Sequence, residues 1–258
     1  MKTTMSSGHG LKVAGSSHFI DEVTEARKVV DRTKVIADSI KNNEVAIFHE
    51  NTAKTVKDNL NNIIAHHNKT TRALDVSIHF NSATFKENGK NVEEVDYAVG
   101  IEVLYFSTKG KPHAEALVKK LSEATGLKNR GAKERTNLGF LKNTNKPAIL
   151  VEVCFVNSKK DVEVYQAKFE KLCIALAEYL TGGTYKPANP SATSQVNYVA
   201  RVTADVLNVR SGAGTSYPVT TQIKKGDAYT IIEESSNGWG KLKSGAGWIS
   251  LAYTEKVK

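Results

Sequence analysis

Cysteine, tryptophan and methionine each occur only twice in 258 residues. No apolar run approaches the roughly eighteen residues that a membrane-spanning helix needs, so membrane insertion is not expected. The two cysteines, Cys154 and Cys173, sit in VEVCFV and KLCIAL with no CxxC spacing. That excludes a disulfide framework and a cysteine-based metal finger, and leaves buried free thiols. The opening stretch MKTTMSSGHG has no apolar segment of the kind a secretory leader carries. Synthesis and first retention in the cytosol are therefore expected. Neither apolar nor charged residues are scarce, at 40% and 24%, so wholesale disorder and collagen-like repeats are excluded and a proper core is expected.

The charge is not balanced: 36 basic against 27 acidic side chains leave +9, which favours polyanionic partners. Nucleic acid has no further support, because the chain lacks a Lys/Arg-dense recognition helix, an RNP-like aromatic strand and finger spacing. The excess is spread along the chain, with +5 in residues 1–182, +1 in the following segment and +3 in residues 198–258. The segment GGTYKPANPSATSQ (182–195) is rich in Gly, Pro, Ser and Thr and reads as a linker. The expected organisation is a first domain at 1–182, a linker at 183–197 and a second domain at 198–258.

In the first domain helical and strand periods alternate, which indicates an α/β fold. Strands are expected at EVAIFH (44–49), LDVSIHF (74–80), VGIEVLYF (99–106) and AILVEVCFV (148–156). Helices are expected after Asp21, after residue 50, over 112–125, and after Ser158 and Asp161, which resemble a capping box. The long polar connection at 81–98 has the length of a functional loop. In the second domain, short strands punctuated by Gly-rich turns indicate a small all-β barrel or sandwich.

Three positions carry unusual chemistry. His79 ends an apolar strand and His9 lies between two glycines in SGHG; both fall where an α/β sheet assembles sites, at the carboxyl ends of strands. Glu152 interrupts the otherwise apolar AILVEVCFV. Burying an unpaired carboxylate is costly, so Glu152 needs a metal, a cation or a catalytic task; a core ion pair is the alternative. A hydrolytic zinc site takes three protein ligands. Glu22 is the nearest acidic candidate, with Glu25 as a fallback and His18 as a weaker one. His66 and His67 read as helix-end caps, His49 as a neighbour of the site, and His113 as solvated.

SGHG with His9, IDEVTEAR with Glu22, LDVSIHFNS with His79 and PAILVEVCFVNS with Glu152, in that order, resemble the zinc-dependent N-acetylmuramoyl-L-alanine amidases of phage endolysins and bacterial autolysins. The resemblance covers residues 1–182, and KNRGAKERTNLGFLKNTNKPAILVEVCFVN is its most specific part. It implies a twisted, mostly parallel sheet with helices on both faces, zinc held by His9, Glu22 and His79, and Glu152 as the catalytic carboxylate. The implied substrate is the muramic acid to L-alanine amide of peptidoglycan, reached after a holin-type lesion or cell lysis. One departure is the polar MKTTMSS, where the family's first strand is strongly apolar.

Residues 199–255, with LNVRSGAGTSYPV, IKKGD, NGWGKLKSGAGWIS and AYT, resemble bacterial SH3-like wall-targeting modules. That resemblance implies binding to peptidoglycan or its anionic polymers, with Arg210, Tyr217, Trp239 and Trp248 as contact candidates whose alternative is barrel core. Two other readings stay open: a zinc peptidase cutting within the stem peptide, and a non-catalytic wall-binding protein.

Overall fold

The computed structural model describes residues 2–40, 44–186, 193–214 and 217–257. They form two compact units, Met1–Tyr185 and Lys186–Lys258. In chain order the first unit contains β1 (Thr3–Ser7), α1 (Glu22–Ser39), β2 (Val45–Phe48), α2 (Val56–Lys69), β3 (Leu74–Asn81), β4 (Phe85–Glu87) and β5 (Lys90–Val92). It continues with β6 (Ile101–Tyr105), α3 (Lys111–Thr125), β7 (Asn129–Glu134), α4 (Gly139–Asn143), β8 (Ala148–Phe155) and α5 (Lys159–Thr181).

Six strands form one sheet in the order β2-β1-β3-β8-β6-β7. β2, β1, β3 and β8 run parallel, whereas β6 runs antiparallel to β8, and β7 follows β6. The expected mostly parallel sheet is present, with its last two strands reversed. The reversal brings the start of β6 to the same sheet end as the carboxyl termini of β1, β3 and β8. β4 and β5 form a separate hairpin inside the polar 81–98 connection.

Local chemistry sets the helix ends. The Asp21 carboxylate accepts from the Thr24 amide at 2.9 Å at the start of α1, and the Ser158 hydroxyl accepts from the Asp161 amide at 3.2 Å at the start of α5, as helix N-caps do. Asp161 does more than belong to a cap. Its buried carboxylate accepts from the amides of Val99 at 2.9 Å, Gly100 at 2.8 Å and Phe155 at 3.3 Å. It thereby ties the approach to β6 to the end of β8.

The polar β1 is a fully buried strand next to the centre of the sheet. Three of its four hydroxyls find partners: Thr4 pairs with Thr70 at 2.8 Å, Ser6 with His67 Nε2 at 3.0 Å, and Ser7 with His49 Nδ1 at 2.9 Å, while Thr3 Oγ1 is buried without one among the described residues. Polarity therefore does not prevent burial, because hydrogen bonds replace those to water.

This corrects the reading of His67 as a helix-end cap: the ring is wholly buried and its Nδ1 lies 2.7 Å from Asp75 Oδ1. Arg72 completes the group with a two-pronged ion pair to Asp75. Asp75→Ala leaves that cation unpaired in the core, and breaking such a pair costs about 3–5 kcal/mol. Urea unfolding should show a loss of this size with the unfolding slope unchanged. His113 is also not simply solvated, since its Nδ1 lies 2.9 Å from the Tyr179 hydroxyl.

The apolar core lies between the sheet and α1, α3 and α5, with Val76, Ile78, Ile101, Val103, Leu117 and Leu176 among its buried members. Cys154 and Cys173 are buried free thiols. β7 and α4 fall in KNRGAKERTNLGFLKNTNK, where no periodicity announces them.

The second unit contains β9 (Thr193–Val202), β10 (Val206–Arg210), β11 (Val219–Lys224), β12 (Ala228–Ser235), β13 (Trp239–Leu242), β14 (Trp248–Ser250) and β15 (Thr254–Val257). They form one antiparallel sheet in the order β11-β10-β14-β13-β12-β9-β15. Val202, Val209, Ile231, Leu242 and Ile249 are at its core. Residues 193–197, read as linker from their composition, belong to β9, where pairing with β12 outweighs the turn-rich composition. Linker residues 187–192 lie outside the described residues.

Candidate metal and catalytic site

The end of β1 passes through Ser7 and Gly8 to His9. β3 carries His79 two residues before its end, and α1 begins with Glu22. These three side chains converge: the Glu22 Oε1 lies 3.0 Å from His79 Nδ1 and 3.5 Å from His9 Nε2. One ligand atom from each residue lies within 4.8 Å of the others.

Glu22 is buried and held from two sides, by the Ser16 amide at 2.6 Å and the Phe80 amide at 3.1 Å. Burial alone pushes its pKa up, but the His79 bond, both imidazoles and the Ser16 amide pull it down to about 2. Its carboxylate is therefore ionised at neutral pH. Burial lowers the His9 pKa, in favour of the neutral, ligating form of the ring. Burial also acts to lower that of His79, but the Glu22 bond and the Glu152 and Glu22 charges reverse this and raise it.

Two absences of side chain make the convergence possible. A Cβ on Gly8 would fall 1.9 Å from the His79 ring, and one on Gly15 would fall 2.7 Å from Glu22 Oε2. No period or charge pattern announces either role, although Gly8 stands in the SGHG motif.

Glu152 lies beside this cluster, opposite His79 in the β3–β8 register and opposite Glu102 in the β8–β6 register. Its Oε2 is buried with no hydrogen-bond partner among the described residues. Burial raises its pKa to about 7; His79 opposes this, and the Glu22 and Glu102 charges add to it. The core ion pair weighed as its alternative is absent among the described residues. The ion pairing falls instead to Glu102, which sequence reasoning did not single out. Glu102 accepts from Arg130 Nε at 2.7 Å, from Asn81 at 3.2 Å and from Lys133.

The fallback ligands stand elsewhere. Glu25 accepts from the Tyr165 hydroxyl at 2.8 Å and pairs with Lys28 at 2.7 Å. His18 pairs with Glu94 at 3.2 Å. His49 bridges Ser7 and Asp31, next to the strand that delivers His9.

Two imidazoles and a carboxylate form a donor set suited to a divalent transition metal. The geometry agrees with that donor set: His9 turns Nε2 toward Glu22 Oε1 at 3.5 Å and His79 turns Nδ1 toward it at 3.0 Å, so two imidazole nitrogens face one ionised carboxylate.

In the second unit, Trp239 is 9% exposed and is a buried residue, which removes it from the contact candidates. Tyr217 is 41% exposed and packs over Gly212, where a Cβ would meet its ring at 2.4 Å. Arg210 donates to the Tyr217 carbonyl at 2.8 Å. Trp248 is half-buried, with the Lys241 ammonium 5.8 Å from its ring centroid.

A family model described as N-acetylmuramoyl-L-alanine amidase matches residues 4–180, and a model described as bacterial SH3 domain matches residues 205–255. An uncharacterized 38.4 kDa protein of Clostridium perfringens is 31% identical over 199 residues, 77% of this chain and 55% of that one. Another uncharacterized protein, from Clostridium perfringens strain 13, is 32% identical over 244 residues, 91% of this chain and 69% of that one. The chain thus spans about half the length of the first relative. Among solved structures, the catalytic domain of the CD27L endolysin targeting Clostridia Difficile superposes with a TM-score of 0.56 at 23% identity. The superposition covers 72% of this chain and 99% of that domain, and bears on the fold.

Proposed function

Because the chain belongs to the N-acetylmuramoyl-L-alanine amidase family, we propose that its first unit hydrolyses the amide joining the lactyl group of N-acetylmuramic acid to L-alanine. The observation that carries this reading is the His9, Glu22 and His79 cluster with the unpartnered Glu152 carboxylate beside it. His9, Glu22 and His79 would hold zinc. When bound, zinc supplies Lewis acidity, which acidifies water and stabilises negative charge on a carbonyl oxygen.

The remaining work falls to the protein. Glu22 orients His79 through the 3.0 Å contact, and the Ser16 and Phe80 amides hold Glu22 in turn. Glu152 accepts the proton of the attacking water, and its lack of any other partner leaves its oxygen free for that task. It then returns the proton to the departing L-alanine nitrogen, so a single carboxyl serves both steps. The buried surroundings that raise its pKa to about 7 also make it a competent proton donor in the second step.

We assign the second unit to wall binding, with Tyr217 and Trp248 as contact residues and Arg210 holding the Tyr217 turn. The +3 carried by residues 198–258 suits anionic wall polymers as well as peptidoglycan.

The zinc-loaded full chain and residues 1–185 should release amino groups from soluble muropeptide at similar rates. The full chain alone should sediment strongly with purified walls. No release by either chain contradicts the hydrolase assignment, and equal sedimentation contradicts the targeting assignment.

A further inference from the structure

A cleft of about 330 Å³ opens at the same sheet end as Glu152, lined by Phe85, Tyr97, Val99 and Phe155 together with Lys128 and Arg130. Its walls are apolar, and both of its charged residues are basic. Arg130 is set there by the backbone. The β6–β7 register shifts between Ile101 and Val103, so Arg130 and Gly131 together face Glu102. Gly131 takes φ 83, a left-handed conformation that glycine adopts without strain. Arg130 Nε donates to Glu102 at 2.7 Å, and its guanidinium lies 4.9 Å from the Phe155 ring centroid. No Nη hydrogen bond of Arg130 occurs among the described residues, so the outer edge of a fixed planar fork remains available in the cleft. Such a fork matches a carboxylate.

We propose that this cleft is a specificity subsite for a free carboxylate of the stem peptide on the leaving-group side of the scissile amide. The inference rests on the amidase reading and adds to it a preference for acidic over amidated stems. Reach supports it. β8, β6 and β7 are successive strands, so Arg130 stands two strand spacings, about 10 Å, from Glu152. Two extended residues span at most about 7 Å, and the arginine side chain covers the remainder. The carboxylate of the residue after L-alanine therefore reaches Arg130 while the amide lies at Glu152. Lys128 adds a second positive charge at the rim, and Glu102 remains neutralised by Lys133 when Arg130 is engaged.

The test compares two soluble muramyl dipeptides whose D-glutamate side-chain carboxyl is blocked as a methylamide, one with a free α-carboxylate and the other with its α-amide. Wild-type kcat/KM should favour the free acid about tenfold, as one charge-assisted hydrogen-bond pair allows. Arg130→Gln should bring the ratio close to one, and the surface change Lys128→Gln should lower it part of the way. A purely structural role for Arg130 would lower both rates and leave the ratio intact. Equal wild-type rates, or an unchanged ratio in both variants, overturn the proposal. Calorimetric titration of the zinc-loaded protein with the corresponding free dipeptides, L-alanyl-D-glutamate γ-methylamide with and without α-amidation, separates the subsite from the amidase reading. Discrimination without hydrolysis refutes the amidase reading and keeps the subsite. Hydrolysis without discrimination does the reverse.

Discussion

Glu152→Gln is expected to bind zinc like the wild type and to lose about 10²–10⁴ of the hydrolytic rate, the usual worth of a positioned acid or base. The reason is geometric. His9, Glu22 and His79 complete a three-ligand set without it, whereas Glu152 Oε2 is the neighbouring oxygen that no protein group occupies. An amide of the same shape fills the position but moves no proton.

The same substitution should stabilise the metal-free protein. Burial raises the Glu152 carboxyl from its ordinary 4.5 to about 7 in the folded state. The folded chain therefore keeps a proton that the unfolded chain releases between those two values. No penalty exists below about pH 4.5; it grows as pH rises, and above about pH 7 it is fully present. At about 1.4 kcal/mol for each pH unit it amounts to at most about 3 kcal/mol, and less because the side chain is partly exposed. Urea denaturation of metal-free protein at pH 8 should find Glu152→Gln more stable than wild type by up to that amount. At pH 4 the two should coincide. A variant that lost zinc, or one less stable at pH 8, would make Glu152 a ligand or a structural residue.

Glu22→Ala is expected to lose zinc and activity together, whereas Glu25→Ala keeps both. The two glutamates share the first turn of α1, but their surroundings differ. Glu22 faces His9 and His79 and takes the Ser16 and Phe80 amides, while Glu25 is engaged by Tyr165 and Lys28. Removing Glu22 leaves two imidazoles and strips two backbone donors of their acceptor, at about 1–3 kcal/mol for each one left unsatisfied. Metal analysis of the dialysed variants, with thermal unfolding as a check on folding, measures both effects. Retention of zinc by Glu22→Ala with loss in Glu25→Ala would reverse the assignment.

Much of this site was legible in the sequence because its chemistry conflicts with its surroundings. A carboxylate inside AILVEVCFV and a histidine ending LDVSIH are anomalies that burial makes expensive, so they can be found without coordinates. Glu22 and Glu25 could not be separated that way, since only the tertiary amides of Ser16 and Phe80 distinguish them. The polar β1 ran against its local composition, because its partners, His67 and His49, lie far away in the chain. The reversal of β6, the bulge at Arg130 and Gly131, and the pairing of Glu102 depend on strand order, which hydrophobic period does not encode. Trp239 is the opposite error: a tryptophan next to a turn looked available, but its side chain is buried, and composition does not say which face of a strand is covered.

The most direct measurement is mass spectrometry of purified peptidoglycan digested by the zinc-loaded protein. The account predicts stem peptides with a new L-alanine amino terminus and glycan strands that keep unmodified muramic acid with a free lactyl carboxylate. New amino termini within the stem, or new reducing sugar ends, would contradict it.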